Sequence, residues 1–291
     1  MTAISMRGLR KTYGEKKAVD GIDLDIETGE IFAILGPNGA GKTTTVEILE
    51  GFRARDKGQG EVAVLGQDPA RADRAWRNRI GIVLQTTSGL DLLTPREILT
   101  STAKAYSTPR SVDDVITAVG LEEKADQRIA GLSGGQRRRV DVGLGIIGRP
   151  ELLFLDEPTA GFDPQARRDF WELIRSLKDE GTTIVLTTHY LDEAQALADR
   201  VGVIAAGRLL ALDTPAGLGG RESAEAVVSW EDEAGTRHTV TTAAPTAEVS
   251  RLAALHDGRE VPGLQVIRPS LEDVYLSLIA PHIVAETEAS S

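Results

Sequence analysis

Gly36-Pro37-Asn38-Gly39-Ala40-Gly41-Lys42-Thr43 follows the apolar run Ile31-Phe32-Ala33-Ile34-Leu35. The run reads as a short buried strand that stops at a glycine and feeds a loop. The eight residues after it fit G-x-x-x-x-G-K-[ST] at every position. Glycines let backbone N–H groups approach and cradle phosphates, and the N-terminus of the helix that follows adds a favourable dipole. Lys42 is then placed to reach the β- and γ-phosphates of a nucleotide, with the Thr43 hydroxyl on Mg²⁺. The alternative is a Gly-rich turn before an ordinary helix. The strand in front of the loop favours phosphate binding.

Two further stretches bear on the same chemistry. Leu152-Leu153-Phe154-Leu155-Asp156-Glu157 is a second apolar strand, ending in two acids. Asp156 can deliver a carboxylate to the Mg²⁺ shell of a P-loop NTPase, and Glu157 is placed to polarise an attacking water. Alone, this would be an acid-rich strand end; beside a phosphate loop it becomes the other half of a nucleotide site. Leu132-Ser133-Gly134-Gly135-Gln136 precedes a segment, 137–147, that reads as a helix. Two glycines and a Ser hydroxyl at a helix start make a second anion cradle. Ser133 can equally be a helix cap, or serve as both.

Strands and helices alternate outward from these blocks. Residues 183–186 form another apolar run, and Phe170, Leu173, Ile174 and Leu177 repeat at helical spacing before Gly181. This alternation predicts a mostly parallel sheet covered on both faces. Thr94-Pro95-Arg96-Glu97 is a capping box with Pro at the first helical position, and it opens a mostly helical insert over about 95–145.

The last 70 residues differ in character. Residues 226–230 and 237–241 are β-prone and flank a Gly-containing acidic turn, followed by a helical segment near 246–257 and a strand near 264–268. Ser270 and Asp273 form another capping box, after which Leu271, Val274, Tyr275, Leu278 and Ile279 line one helical face. Residues 221–291 hold five Arg, no Lys and twelve acids, so a composition break lies near 215–221. The expected division is 1–215 and 216–284, with 285–291 a frayed tail.

Composition sets the outer limits. The chain has 291 residues, 41% of them hydrophobic, a length suited to one large domain or one domain with a smaller companion. No Cys is present, which excludes disulfides, thiolate metal sites and a cysteine nucleophile. A net charge of −11 argues against nucleic acid as a partner. The triplet Arg137-Arg138-Arg139 is accordingly read as a solvated helix face that meets neighbouring acids. The longest apolar stretches, such as 201–206, are far short of the ~20 residues that cross a bilayer. The first residues lack the apolar core of a signal peptide.

These blocks, in this order, resemble the nucleotide-binding subunit of an ABC transporter over roughly residues 2–215, with LSGGQ the more specific motif. The resemblance implies an α/β P-loop NTPase fold with a helical insert, plus a small α+β appendage at the C-terminus. It also implies two subunits head to tail, each ATP lying between the phosphate loop of one (36–44, including Thr44) and the Ser133–Gln136 segment of the other. On the same resemblance Tyr13 stacks on the base with Val19 as an apolar contact. Gln85 contacts Mg²⁺ and water and senses the transmembrane partner, although alone it would read as an ordinary loop amide. His189 contacts the γ-phosphate. Asp163 communicates between subunits while also capping a helix. The family usually has a small residue and then Leu before this Asp, where Gly161 and Phe162 stand here. The other histidines, His238, His256 and His282, read as surface or satisfied residues.

The expected function is an ATPase subunit, at the inner face of the cell membrane, that drives a separate multi-span permease. The expected working form is a dimer, most simply a homodimer. Thr86–Leu93 and the insert behind it would carry work to the permease. Residues 269–278 resemble the ending of ATP-binding subunits of bacterial drug exporters of the daunorubicin-resistance type, which implies export of a drug, antibiotic or lipid-like molecule. An importer subunit is the alternative. A soluble ABC ATPase acting on ribosomes or DNA is the weaker one, since the chain has one cassette and no heptad run.

Overall fold

The computed structural model describes residues 1–83, 89–221, 224–232 and 234–289, the last seven of these by backbone alone. It divides into two compact units, Met1–Leu212 and Asp213–Ser291.

The first unit opens with two long strands, β1 (Thr2–Tyr13) and β2 (Lys16–Glu27). Then come β3 (Ile31–Leu35), α1 (Lys42–Leu49), β4 (Glu61–Val64), α2 (Arg74–Arg77) and β5 (Ile80–Val83). The helical insert supplies α3 (Pro95–Ala103), α4 (Val112–Ala118) and α5 (Gly134–Ile146). The unit closes with β6 (Leu152–Asp156), α6 (Pro164–Asp179), β7 (Thr183–Thr187), α7 (Leu191–Leu197), β8 (Arg200–Ala205) and β9 (Arg208–Asp213).

Six strands form one sheet in the order β5-β6-β7-β3-β8-β9. The pairs β5–β6, β6–β7, β7–β3 and β3–β8 are all parallel. All five residues of β3 and of β7, and four of the five in β6, are buried, as expected of strands covered on both faces. Both β3 and β6 end at candidate site residues, one at the glycine-rich loop and one at Asp156. Ligands of parallel α/β sheets bind at such carboxyl ends of strands.

A second sheet, antiparallel and ordered β2-β1-β4, was not anticipated. In β2 the apolar residues Ile22, Leu24 and Ile26 are buried, while Asp23 faces out. Across the pair, Arg7 donates to Asp25 at 2.5 Å, and Arg10 pairs with Asp20. One core cluster joins this sheet to the parallel one through Ile4, Met6, Leu9, Phe32, Ile34, Val46, Leu49 and Trp76. Each such side chain contributes about 1.5–3 kcal/mol by leaving water. The Trp76 indole N–H donates to the Val64 carbonyl at 2.8 Å, so its one polar atom is satisfied.

The insert starts as its capping box dictates. The Thr94 hydroxyl accepts from the Glu97 N–H at 3.2 Å, and the Glu97 carboxylate accepts from the Thr94 N–H at 2.9 Å. Leu99, Val115, Ile116, Val142 and Ile146 bury its inner faces.

In the second unit β10 (Ala226–Glu231) lies between β11 (Arg237–Thr242) and β12 (Gln265–Ile267), all antiparallel. Helix α8 (Pro245–Leu255) covers one face, and Val228, Leu252 and Val261 form the core. Helix α9 (Leu271–Ala289) starts at the Ser270/Asp273 box, with reciprocal bonds of 2.8 and 3.1 Å. Its backbone is helical through Ala289, across most of the segment read as a frayed tail.

Candidate functional site

The phosphate loop is built around backbone that only glycine tolerates. Gly41, the N-cap of α1, has φ 104°, and a Cβ there would meet the Ala18 carbonyl oxygen at 2.2 Å. No acid occupies the first turn of α1, so its free N–H groups keep their pull on an anion. Lys42 is only 7% exposed, and its ammonium donates to the carbonyls of Gly36 and Pro37 at 2.7 and 3.0 Å. Burial pulls its pKa down, while the nearby charges of Glu157 and Asp156 hold it up. A lysine and two carboxylates far apart in sequence therefore share one site. Asn38, Gly39 and Thr43 are exposed, Pro37 and Thr44 half-buried, and Ala40 buried.

Asp156 ends β6 and accepts from the hydroxyl of Thr187, the last residue of β7. Glu157 lies in the left-handed region at φ 44°, a conformation that is strained for a side chain of this kind. Its N–H donates to the Thr187 carbonyl at 3.0 Å. His189, just beyond β7, brings Nδ1 within 3.2 Å of Glu157 Oε1 and stacks at a tilt on Tyr190.

The second cradle is the N-terminus of α5. Ser133 caps it, its hydroxyl accepting from the Gln136 N–H at 3.3 Å while the Gln136 amide oxygen accepts from the Ser133 N–H at 3.0 Å. Ser133 and Gly134 are exposed, and Gly135 and Gln136 half-buried. Asp163 caps α6, accepting from the N–H groups of Gln165 and Ala166, both at 2.9 Å. The unusual Phe162 before it is buried edge-on against Phe170, with ring centroids 5.9 Å apart.

Tyr13 ends β1, 40% exposed, with the Lys11 ammonium and the Arg53 guanidinium each 5.4 Å from its ring centroid. Val19 pairs with Lys11 in the neighbouring strand and is 1% exposed, so it offers a base almost no open surface. Gln85 and the segment 86–88 lie outside the described residues.

The basic triplet needs correction. Arg137 and Arg139 do meet acids, Asp91 and Asp169, at 3.0 and 3.2 Å. Arg138 is not solvated: it is buried and donates to the carbonyls of Pro158 and Asp156 at 3.2 and 2.5 Å. Desolvation pulls its pKa down, against the charges of Asp141, Asp156, Glu193 and Glu157. Its helical neighbours Val142 and Ile146 are buried as well, so the i, i+4, i+8 spacing carried this signal. Sequence reasoning also missed the buried acids Asp20, Glu30, Glu50 at the end of α1 and Glu193 on α7.

The candidate oxygen donors suit Mg²⁺. The Thr43 hydroxyl and the Asp156 carboxylate are hard oxygens, and this ion is held by one or two protein ligands together with phosphate and water oxygens. Among the described residues no cluster of three or more His, Asp or Glu forms an all-protein metal cage. A desolvated ammonium, a carboxylate pair and a helix N-terminus at one place are what binding and cleaving a polyphosphate requires.

Comparison with known proteins identifies the family. The family model described as "ABC transporter" matches residues 19–160. Daunorubicin resistance ATP-binding protein DrrA2 of Streptomyces coeruleorubidus is 38% identical, over 99% of this chain and 98% of its own length. A Nod factor export ATP-binding protein I of Ralstonia nicotianae is 37% identical over 94% and 93% of the two chains. Among solved structures, a dimeric ATP-binding cassette in a post-hydrolysis state, bound to ADP and Pi, superposes with a TM-score of 0.66 at 25% identity. That match spans 72% of this chain and 98% of the other. No helix among the described residues is long and apolar enough to cross a membrane. The chain belongs to the ATP-binding subunits of ABC transporters.

Proposed function

We propose that two copies of this chain close head to tail around two ATP molecules and drive a separate multi-span permease that exports a drug, antibiotic or lipid-like compound. The observation that carries the ATPase chemistry is the convergence of Lys42, Asp156 and Glu157, with Glu157 hydrogen-bonded through its side chain to His189. Lys42 exchanges its carbonyl partners for the β- and γ-phosphates when ATP arrives. Glu157 takes the proton of the attacking water, and His189 orients that carboxylate and meets the γ-phosphate. Thr43 and Asp156, with Gln85, would hold Mg²⁺, which when bound neutralises charge between the β- and γ-phosphates. Tyr13 stacks on the base. Residues 133–136 and Asp163 complete the site of the facing copy, where the α5 N-terminus stabilises the γ-phosphate.

Export rests on the relatives named for daunorubicin resistance and Nod factor export, both similar over nearly the whole chain. The Asp213–Ser291 unit is then an accessory domain that stabilises or regulates the dimer, and the chain sits on the cytoplasmic face through its permease. The test is purification of tagged Glu157→Gln from native membranes with ATP and Mg²⁺. The expected result is a variant that retains nucleotide, loses turnover by roughly 10²–10⁴-fold, and brings down a multi-span membrane protein. Full turnover would refute the role of Glu157, and recovery of soluble partners alone would refute the transport reading.

A further inference from the structure

Glu157 is held on both flanks by one side chain. The carbonyl before it, of Asp156, and the carbonyl after it, of Pro158, both accept from the Arg138 guanidinium, at 2.5 and 3.2 Å. The turn is strained, with Glu157 at φ 44°, so something must hold it in place. The Glu157 N–H bond to Thr187 anchors it on the β7 side, and Arg138 anchors it on the α5 side. Arg138 stands five residues after the Ser133 cap on a continuous helix, about 7.5 Å along its axis at ~1.5 Å per residue. A helix transmits displacement over that length as a rigid rod. Behind the turn, Glu193 is fully buried, its charge felt by Arg138, and its carboxyl lies against Thr159, Thr188 and Trp171 without a full hydrogen bond to any of them. Thr159 follows Glu157 by two residues and Thr188 precedes His189. The residues beside this buried carboxyl therefore flank the general-base turn and the histidine.

We infer that Arg138 is a positioning residue that ties α5 to the Asp156–Pro158 turn, so that seating residues 133–136 on the facing copy's nucleotide sets the aim of this copy's own Glu157. The inference rests on the reading of Glu157 as general base and of 133–136 as the segment that crosses to the second nucleotide. Arg138 reaches the two carbonyls with two nitrogens of one rigid plane, Nε to Pro158 and Nη2 to Asp156, a fixed spacing that the single nitrogen of Lys does not reproduce. Arg138→Lys keeps the buried positive charge and removes the bridge.

The experiment measures kcat and KM for ATP, together with the melting temperature, for Arg138→Lys and Arg138→Gln, each alone and combined with Glu157→Gln. A misplacement of the base by about 1 Å predicts a kcat loss of ~10- to 100-fold, with KM changed less than about twofold. In the Glu157→Gln background the same substitutions should change the residual rate by less than about twofold, because the group they position is gone. An unchanged kcat in Arg138→Lys, or an equal loss with and without Glu157, overturns the inference. A loss that follows KM or the melting temperature overturns it too. If Glu157→Gln alone keeps full turnover, the general-base reading fails and takes this inference with it. If Glu157→Gln is inactive while Arg138→Lys is fully active, only the inference fails.

Discussion

Glu50 offers a sharp test of how this site is packed. It is the C-cap of α1, 6% exposed, with its N–H bonded to the Val46 carbonyl at 2.9 Å. Burial pushes its carboxyl from the ordinary 4.5 up to about 8, and the charges of Asp156 and Glu47 add to the rise. The negative end of the α1 dipole acts in the same direction. Part of the Glu47 charge is taken up by Arg53, whose Nε lies 2.5 Å from it.

Because the folded chain keeps this proton where the unfolded chain has released it, stability falls as pH rises from about 4.5 to about 8. Below that window the group contributes nothing; above it the whole penalty is present. At ~1.4 kcal/mol per pKa unit the ceiling is ~5 kcal/mol, and relaxation and water entry reduce such penalties, so a change of ~2 kcal/mol or more is expected. Glu50→Gln has the shape of the protonated acid and cannot ionise. Its stability relative to the parent should therefore rise between pH 5 and pH 8.5. The assay is urea unfolding of both proteins at the two pH values without nucleotide or divalent cations, read at the first transition. A stability difference that is the same at both pH values within ~0.5 kcal/mol, or one that reverses sign, would refute the burial of Glu50 as the cause of its raised pKa.

Two further outcomes follow from the loop. Gly41→Ala adds a Cβ 2.2 Å from the Ala18 carbonyl oxygen at φ 104°, so it should destabilise by at least ~2 kcal/mol. Gly29→Ala, at φ 77° with open space around it, should lose less, and equal melting temperatures for the two variants would contradict the close approach. Lys42→Ala should weaken nucleotide binding by ~10-fold or more, since a hydrogen bond to a charged group is worth ~1.5–3 kcal/mol. Fluorescence titration that returns an unchanged dissociation constant would show that the ammonium never leaves the Gly36 and Pro37 carbonyls.

Much of the site was legible because its chemistry is local. The phosphate loop depends on glycine at a fixed position, and the Thr94/Glu97 and Ser270/Asp273 caps depend on side chains three residues apart. Strands such as β3, β6 and β7 announce themselves as short apolar runs because both their faces are covered. The antiparallel sheet was passed over although Ile22, Leu24 and Ile26 alternate with Asp23 and Asp25. Its many charges disguise strands whose outer face carries cross-strand ion pairs.

The amino-acid order alone determined the family of machine and the glycine-rich loop after β3, because that loop rests on backbone geometry that adjacent residues impose. Tertiary structure alone decided the burial of Arg138, Glu193 and Glu50. Whether a charged side chain meets water, a carbonyl or another charge depends on elements distant in sequence, and the energy of a buried charge is set by those neighbours rather than by its own residue type.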